Sequence, residues 1–113
     1  MKKQIAYLCV PYSHSDEQVR EYRAIQADKA AARMIEQGYV VFSPISHSHR
    51  IAHHLDNHND GRFWLEQDMP FLEIADVVAI VKLPGWEESS GIAAEISYAN
   101  EQGKEVLYLE GAE

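Results

Sequence analysis

The stretch LPGWEESSGIAAEISYA (83–99) brings one carboxylate, Glu95, close to a tight turn and a helix start. Ser89 and Ser90 follow the Pro-Gly turn, and serine is a preferred residue at the N-cap of a helix. The small apolar residues that follow predict a helix over 90–102. A carboxylate at this place can serve as a nucleophile or a base if the fold brings it to a cleft.

Glu95 lies beside the apolar stripe of this predicted helix. It is about 9 Å along the axis from the N-cap and about 60° around the helix from Ile92. It therefore borders the stripe formed by Ile92, Ile96 and Ala99. Helical side chains lean toward the N-terminus, where the helix dipole favours an ionised carboxylate, so we expect Glu95 to be ionised and to reach a cleft. A border position can also face solvent, which leaves a solvated surface residue as an equal alternative.

Four short apolar segments alternate with helical segments along the chain. The apolar segments are rich in β-branched and aromatic residues, which is typical of strands buried on both faces. We place strands at 5–10, 39–45, 76–84 and 105–110, and helices at 16–37, 61–75 and 90–102. This order predicts an α/β protein with three layers, α/β/α, and a flavodoxin-like (Rossmann-like) parallel sheet of four to five strands.

Two features of the helical segments lead to specific expectations. In the first helix, Ala24, Ala27, Ala31 and Ile35 share one face, which should pack on the sheet. In the second helix, Pro70 has no backbone N–H and its ring clashes with the preceding turn. We therefore expect that helix to break or restart at Pro70.

Polar side chains are concentrated in the loops that follow the predicted strands. The segments PYSHSD (11–16), SPISHSHR (43–50) and LPGWEESSG (83–91) are rich in hydroxyl, imidazole or glycine groups. The loops that lead into strands, EQGY and NEQGK, are bland. Since ligands bind beyond the carboxyl ends of the strands in open parallel sheets, we expect one ligand site at this edge.

Composition limits the class of protein and of partner. The chain of 113 residues suits one domain (1–113), and its 46% hydrophobic content is that of an ordinary globular protein. A formal net charge of −8 disfavours nucleic acid polymers but leaves small ligands open. We expect a cytoplasmic protein with no membrane association, because no apolar run could span a bilayer, the start lacks signal-peptide features, and the single Cys9 excludes an internal disulfide framework.

The segment after the second predicted strand is rich in histidine. His47, His49, His53, His54 and His58 fall within twelve residues, and imidazole is a common ligand of zinc-like ions. No partner cysteine or HExxH spacing accompanies them, so we expect no metal. We expect His47 and His49, which directly follow a strand, to line the pocket, and the long segment 46–60 to act as a lid.

The order of these motifs resembles a known enzyme family. SSGIAAEISYANEQGKEVLYL resembles the signature of the nucleoside 2-deoxyribosyltransferase superfamily, which includes nucleoside 5′-monophosphate N-glycosidases. IAYLCVPYS is similar to the first strand of that superfamily and the substrate-contacting loop after it. DMPFLEIADVVAIVKLP is similar to its acidic residue, helix and Asp-led third strand. The resemblance extends over nearly the whole chain and is greatest to a branch of small bacterial proteins.

The resemblance implies a catalytic set. In the superfamily, the residue matching Glu95 attacks the anomeric carbon of a nucleoside or nucleotide and displaces the base, as in a retaining glycosidase. The residue matching Asp68 helps to protonate the departing base, which requires a raised pKa, and Tyr7 matches a tyrosine that positions the nucleophile. Helix capping is the structural alternative for Asp68, and core packing is the alternative for Tyr7. Asp76, at the start of the third strand, is interpreted as structural.

Ser89 bears on the choice between branches of the superfamily. Monophosphate N-hydrolases carry a serine at the matching place, where it contacts the 5′-phosphate, whereas transferases that act on free nucleosides carry an aspartate. Ser89, Ser90 and Gly91 at a helix N-terminus could hold a phosphate, although a plain N-cap serine fits either branch. The hydrolases also carry a Gly- and Arg-rich loop after the first strand, where this chain has Ser13 and His14 but no arginine. The phosphate dependence is therefore left open.

The leading interpretation is an enzyme that cleaves the N-glycosidic bond of a nucleotide or nucleoside, with a hydrolase favoured over a transferase. The expected substrate contacts are Ser13, His14, His47, His49, Trp86, Ser89, Ser90 and Gly91. Trp86 either stacks on the base or packs on a neighbouring subunit, and packing is the more common role for a tryptophan in a loop. Arg20 and Arg23 lie further along the first helix, and the sequence does not decide whether they reach the site. This chemistry requires no organic cofactor and no metal.

Two other functions remain as alternatives. The chain could be a non-catalytic nucleotide-binding module that keeps the fold without turnover, or a metal-binding protein built on the histidine-rich loop. The ligand of the binding module would still be a small-molecule nucleotide or nucleoside. Relatives in the superfamily assemble as homo-oligomers whose neighbours complete the pocket, so the resemblance implies a dimer or tetramer.

Overall fold

The computed structural model describes residues 2–56 and 61–111, and they contain one parallel sheet. Its strands are β1 (Ile5–Cys9), β2 (Val40–Phe42), β3 (Val77–Val81) and β4 (Glu105–Leu109). The strand order is β2-β1-β3-β4, with every neighbouring pair parallel. The chain is thus an α/β protein with a four-stranded parallel sheet flanked by helices, consistent with the predicted three-layer flavodoxin-like fold.

Helices and short turns of 3₁₀-helix connect the strands. The α-helices are α1 (Glu17–Glu36), α2 (Pro44–Ser48), α3 (Gly61–Ile74) and α4 (Ser90–Glu101), and turns of 3₁₀-helix lie at Ile51–His54 and Trp86–Glu88. Asp16 caps α1, since its side chain accepts a hydrogen bond from the backbone N–H of Gln18 at 2.8 Å. Among the described residues, no helix is long and apolar enough to cross a membrane.

Successive residues of β1 point to opposite faces of the sheet, and helices cover both faces. Ala6 and Leu8 face α1. Tyr7 and Cys9 face the other side, where the buried cluster includes Leu72 of α3 and Ile92 and Ala99 of α4. β1 therefore directs a phenol and a thiol toward the helix that carries Glu95.

The buried stripe of α1 differs from the predicted one. Ala24 and Ala27 are buried as predicted, but the stripe continues through Ala30 and Met34, and Ile35 is 57% exposed. Alanine occurs on several faces of this helix, so more than one stripe is compatible with the sequence. Packing on the sheet selects the face that buries the long side chain of Met34.

The prediction that Pro70 breaks the second predicted helix is wrong. α3 runs without interruption from Gly61 to Ile74, with Pro70 inside it. Proline lacks the N–H that would bond the carbonyl oxygen of Glu66, one turn earlier. Glu66 and Pro70 are both exposed, so water can solvate that carbonyl and the helix can continue.

The segment after β2 contains more helix than predicted. Ser43 is the N-cap of α2 and Pro44 lies in its first turn, so β2 ends at Phe42 and not at residue 45. The first 3₁₀ turn follows α2. Residues 57–60, which include His58, lie outside the described residues, and the lid over 46–60 stays a prediction.

Two polar side chains hold the ends of the elements opposite the predicted ligand site. Asp76 Oδ2 accepts a hydrogen bond from the backbone N–H of Ile5 at 2.8 Å, which supports the structural interpretation of Asp76. Lys104 Nζ donates to the carbonyl oxygens of Glu73 at 2.9 Å and Ala75 at 2.6 Å. These carbonyls lie at the end of α3, where the helix itself supplies no donor.

We expect Lys104→Met to lower the free energy of unfolding by about 1–3 kcal/mol, because carbonyl oxygens at the end of α3 lose a charged donor. Lys82→Met is the control, since Lys82 pairs at the surface with Glu110 at 2.9 Å. Such a pair contributes roughly 0–1 kcal/mol. Urea titration of both variants measures the difference, and equal losses would contradict a special role for Lys104.

Candidate active site

A cavity of about 650 Å³ opens at the carboxyl edge of the sheet. Its walls come from the end of β1 and the loop after it (7–13), from α2 and the first 3₁₀ turn, from α3, and from the segment 88–95. The volume lies within the range of small-molecule sites. The position is the one that the polar loops predicted.

Glu95 of α4 lines this cavity. The Ser89 hydroxyl caps α4 as predicted, accepting a hydrogen bond from the backbone N–H of Ile92 at 3.2 Å. From β1, the hydroxyl of Tyr7 and the thiol of Cys9 hydrogen-bond to the Glu95 side chain. Both reach it because residues two apart on a strand share a face. Glu95 is therefore a cavity residue and not the solvated residue that periodicity also allowed.

Burial raises the pKa of Glu95 to about 7. The hydrogen bonds from Cys9 and Tyr7 lower it, and the charge of Asp68 raises it further. The expectation that the helix dipole keeps this carboxylate ionised is wrong near neutral pH, because desolvation outweighs the dipole. Near pH 7 the carboxyl is close to half-protonated.

Tyr7 and Cys9 stay protonated beside this carboxyl. Burial raises the pKa of both groups well above their ordinary ranges, and the charge of Glu95 raises them further. Each therefore acts as a hydrogen-bond donor when Glu95 is ionised. A thiol held protonated is also a poor nucleophile, so Cys9 is expected to be chemically inert.

Asp68 of α3 is the second carboxyl in the cavity. Burial raises its pKa to about 6, and the charge of His47 acts in the opposite direction. The residue lies inside α3 and not at its N-terminus, so helix capping does not account for it. A raised pKa is the property that a proton donor needs.

A cationic and hydroxyl-rich part of the wall lies at the loop after β1. Arg23 of α1 lines the cavity, and its guanidinium donates to the carbonyl oxygens of Ser13 at 3.1 Å and Pro84 at 3.2 Å. Gly85 permits this approach, because it has a φ of 96° and a Cβ there would lie 2.9 Å from Arg23 Nη2. Arg23 thus reaches the site, which the sequence had not decided, and Ser13 lines it as predicted.

Tyr12, His49 and Glu21 form a hydrogen-bonded chain at the cavity wall. The Tyr12 hydroxyl lies 2.6 Å from His49 Nδ1, and His49 Nε2 lies 2.5 Å from Glu21 Oε2. Tyr12 and His49 line the cavity, whereas Glu21 is exposed on α1. The chain therefore connects the cavity to solvent and joins α1, the loop after β1 and the end of α2.

His14 and His47 lie outside the cavity lining, unlike the prediction for both. His14 is exposed, and its Nδ1 accepts a hydrogen bond from the backbone N–H of Asp16 at 2.9 Å. The His47 ring packs on Phe42, with 5.7 Å between centroids, and affects the cavity through its charge near Asp68. Their sequence position identified the right loops, but loop conformation decided where the rings lie.

Trp86 also lies outside the lining. Its ring packs against Tyr108, with 5.8 Å between centroids, and against the buried cluster on that face of the sheet. This packing lies within the chain, whereas the sequence offered packing on a neighbouring subunit as the alternative to base stacking. Ser89, Ser90 and Gly91 do line the cavity, as predicted.

Several cavity residues were not predicted from the sequence. They include Cys9, Tyr12, Arg62, Trp64, Leu65 and Glu88. The period of a strand could have identified Cys9, which is two residues from Tyr7. The period of a helix could have identified Trp64 and Leu65, which precede Asp68 by four and three residues.

A metal centre is not formed by the part of the chain that the structure describes. There, no group of three or more His, Cys, Asp or Glu side chains is placed to hold a metal ion. His49 is engaged by Tyr12 and Glu21, and its ring lies edge-on to His53 at 5.5 Å. His58 lies outside the described residues.

Comparison with known proteins gives a family without an assigned activity. Residues 4–111 match the family described as Domain of unknown function (DUF1937). The chain belongs to this family. No curated protein matches it. The activity is therefore inferred from the chemistry of the cavity.

The raised pKa values make the stability of the fold depend on pH. A carboxyl with a higher pKa in the folded state binds a proton on folding, so the stability it contributes is lost as pH rises. For Glu95 this loss occurs between pH 4.5 and about 7, and for Asp68 between 3.8 and about 6. We expect Glu95→Gln to stabilise the protein by roughly 2–3 kcal/mol at pH 8 and to change little at about pH 4.

Denaturant titrations at both pH values measure this effect. Glu87→Gln is the control, because Glu87 is an exposed carboxyl in the turn before α4 and should show no such pH dependence. A gain from Glu95→Gln that is equal at both pH values would mean that ionisation of the buried carboxyl does not cause it.

Proposed function

We propose that this protein cleaves the N-glycosidic bond of a nucleoside 5′-monophosphate or nucleoside, with Glu95 as the nucleophile. The observation that carries the proposal is the presence of two desolvated carboxyls, Glu95 and Asp68, in one cavity. A pair of carboxyls with separate roles is the usual equipment for breaking a glycosidic bond. The resemblance to the nucleoside 2-deoxyribosyltransferase superfamily assigns those roles.

The first step forms a covalent intermediate. The Glu95 carboxylate attacks the anomeric carbon, and a C–O bond forms while the C–N bond to the base breaks. Asp68 transfers its proton to the nitrogen of the departing base, which leaves without a negative charge. Tyr7 donates a hydrogen bond that orients the attacking carboxylate. The products are the free base, a glycosyl ester on Glu95 and an ionised Asp68.

The second step restores the enzyme. Asp68 takes a proton from water as the water oxygen attacks the anomeric carbon, and the ester bond to Glu95 breaks. Both carboxyls then return to their starting states. A second base in place of water would make the reaction a transfer, and we favour hydrolysis because Ser89 matches the serine of the monophosphate hydrolases.

The reactive form requires one proton on the carboxyl pair, held by Asp68. With pKa values of about 6 and about 7, the two groups titrate as a coupled pair. Burial raises the pKa of both groups, so either carboxyl can hold the shared proton. Positive charge that develops at the anomeric carbon favours the ionised form of Glu95 and so draws the proton toward Asp68.

The proposal also includes the phosphate contacts, the partners, the oligomeric state and the location. Arg23, Ser13 and the start of α4 provide donors for a 5′-phosphate, and Arg23 supplies the cation that the loop after β1 lacks. The partners are then small-molecule nucleotides or nucleosides. A homo-oligomer, as a dimer or tetramer, and a cytoplasmic location stay predictions.

The direct test is base release from a panel of ribo- and deoxyribonucleosides and their 5′-monophosphates, followed by chromatography. We expect the wild type to release base, and both Glu95→Gln and Asp68→Asn to lower kcat/KM by at least about 100-fold. Exposed Glu87 supplies the matched control, Glu87→Gln, which should keep full activity. Added acceptor base separates transfer from hydrolysis.

Two outcomes would overturn the proposal. Base release that persists in Glu95→Gln would exclude Glu95 as the nucleophile. Tight nucleotide binding by the wild type with no release from any substrate would identify the non-catalytic binding module.

The pH dependence of kcat/KM is a second test. We expect a bell-shaped profile with its maximum between about pH 6 and about 7. At lower pH, Glu95 is protonated and cannot attack, and at higher pH, Asp68 has no proton to give. Rates measured across this range with the best substrate give the profile, and a constant rate from acid to alkaline pH would be incompatible with a carboxyl pair.

A further inference from the structure

The Tyr12–His49–Glu21 chain takes no part in the cleavage steps, although Tyr12 and His49 line the cavity. Arg20 and Glu17 of α1 also act on Tyr12, the former through a side-chain hydrogen bond and the latter through its charge. His53 is a further titratable group in contact, and its ring lies edge-on to His49. The His49 side chain is 11% exposed and is held between its hydrogen-bond partners, Tyr12 and Glu21.

The hydrogen bonds of the Tyr12–His49–Glu21 chain have a fixed direction, because a carboxylate can only accept hydrogen bonds. Nε2 of His49 therefore carries the proton that bonds Glu21. When His49 is neutral, its Nδ1 has no proton and accepts the Tyr12 O–H. The Tyr12 oxygen can then only accept hydrogen bonds from a ligand in the cavity.

Protonation of His49 reverses this arrangement. Nδ1 then carries a proton and donates it to the Tyr12 oxygen, which frees the Tyr12 hydroxyl proton to donate into the cavity. One proton on His49 therefore changes Tyr12 from an acceptor to a donor for the ligand.

The charges around the three hydrogen-bonded residues also favour an anionic ligand when His49 is protonated and Tyr12 is a donor. Glu17 and Glu21 carry two negative charges against one positive charge on Arg20, so neutral His49 leaves a net negative charge beside the cavity. Protonated His49 cancels it. On the cavity side, the Arg23 guanidinium holds the loop at Ser13, the residue after Tyr12. An oxyanion is therefore repelled less, and meets one more donor, when His49 is protonated.

We propose that the cavity binds an oxyanion, the phosphate ester of a nucleotide, at Tyr12, and that binding takes up one proton at His49. The inference rests on the proposed function only in taking the cavity as the nucleotide site, and it does not require cleavage. By thermodynamic linkage, the oxyanion must shift the titration of His49 to higher pH, and its affinity must rise as pH falls.

The test is an NMR titration of the His49 ring nitrogens with and without saturating inorganic sulfate. Sulfate is the probe because, unlike phosphate, it does not titrate near neutral pH. The background is the protein carrying Glu95→Gln and Asp68→Asn, which removes the two cavity carboxyls that titrate in the same range. We expect sulfate to move the His49 titration upward by about one pH unit, which corresponds to about tenfold tighter binding to the protonated form.

Variants in and beside the Tyr12–His49–Glu21 chain show which residue causes the shift. Tyr12→Phe should make the shift smaller, because the bound sulfate loses the Tyr12 donor while the charge of protonated His49 remains. His53→Gln is the matched control and should keep the shift, since His53 contacts the His49 ring without joining the chain.

An unchanged His49 titration in saturating sulfate would overturn the proposal, as would a shift that keeps its full size in Tyr12→Phe or disappears in His53→Gln. The same spectra report whether each variant is folded. The readout is proton binding and not base release, so a failure of this inference and a failure of the proposed cleavage are distinguishable.

Discussion

The carboxyl of Glu95 lies where most water is excluded, and two donors on β1 offset only part of the cost of ionising it there. A rise in its pKa from 4.5 to about 7 corresponds to roughly 3 kcal/mol against the ionised form. A surface carboxylate would avoid this cost. The protein tolerates it in a cavity, where a weakly solvated carboxylate is more reactive toward an electron-poor carbon.

The parallel sheet makes this arrangement possible. β1 lies between β2 and β3, and its alternating side chains send Tyr7 and Cys9 to the same carboxyl. α3 brings Asp68 to the same cavity although Pro70 lies within that helix. Lys104 and Asp76 hold the ends of these elements that lie away from the cavity, through hydrogen bonds to the backbone. These contacts help to fix the geometry of the cavity edge.

The cavity combines two kinds of chemistry. In its acidic part, burial raises the pKa of both Glu95 and Asp68. The part around Arg23 and Tyr12 offers hydrogen-bond donors, and the number of donors depends on His49. A nucleotide has two parts that fit these two regions, because its sugar carbon is electron-poor in the transition state and its phosphate is anionic. Both parts depend on protonation, so the proposed ligand binding and the proposed cleavage are expected to be coupled to pH.

The sequence by itself determined the α/β class, the parallel sheet, the edge at which the cavity opens and the helix that carries Glu95. These follow from hydrophobic periodicity, helix capping by Ser89 and the polar loops after the strands, which are local properties of the chain. The tertiary structure decided which polar residues meet. His14, His47 and Trp86 lie outside the lining, Tyr12 and Arg23 lie in it, and burial raises the pKa of Glu95. Contacts between distant segments and the loss of water around a side chain arise only when elements pack, so no local pattern encodes them.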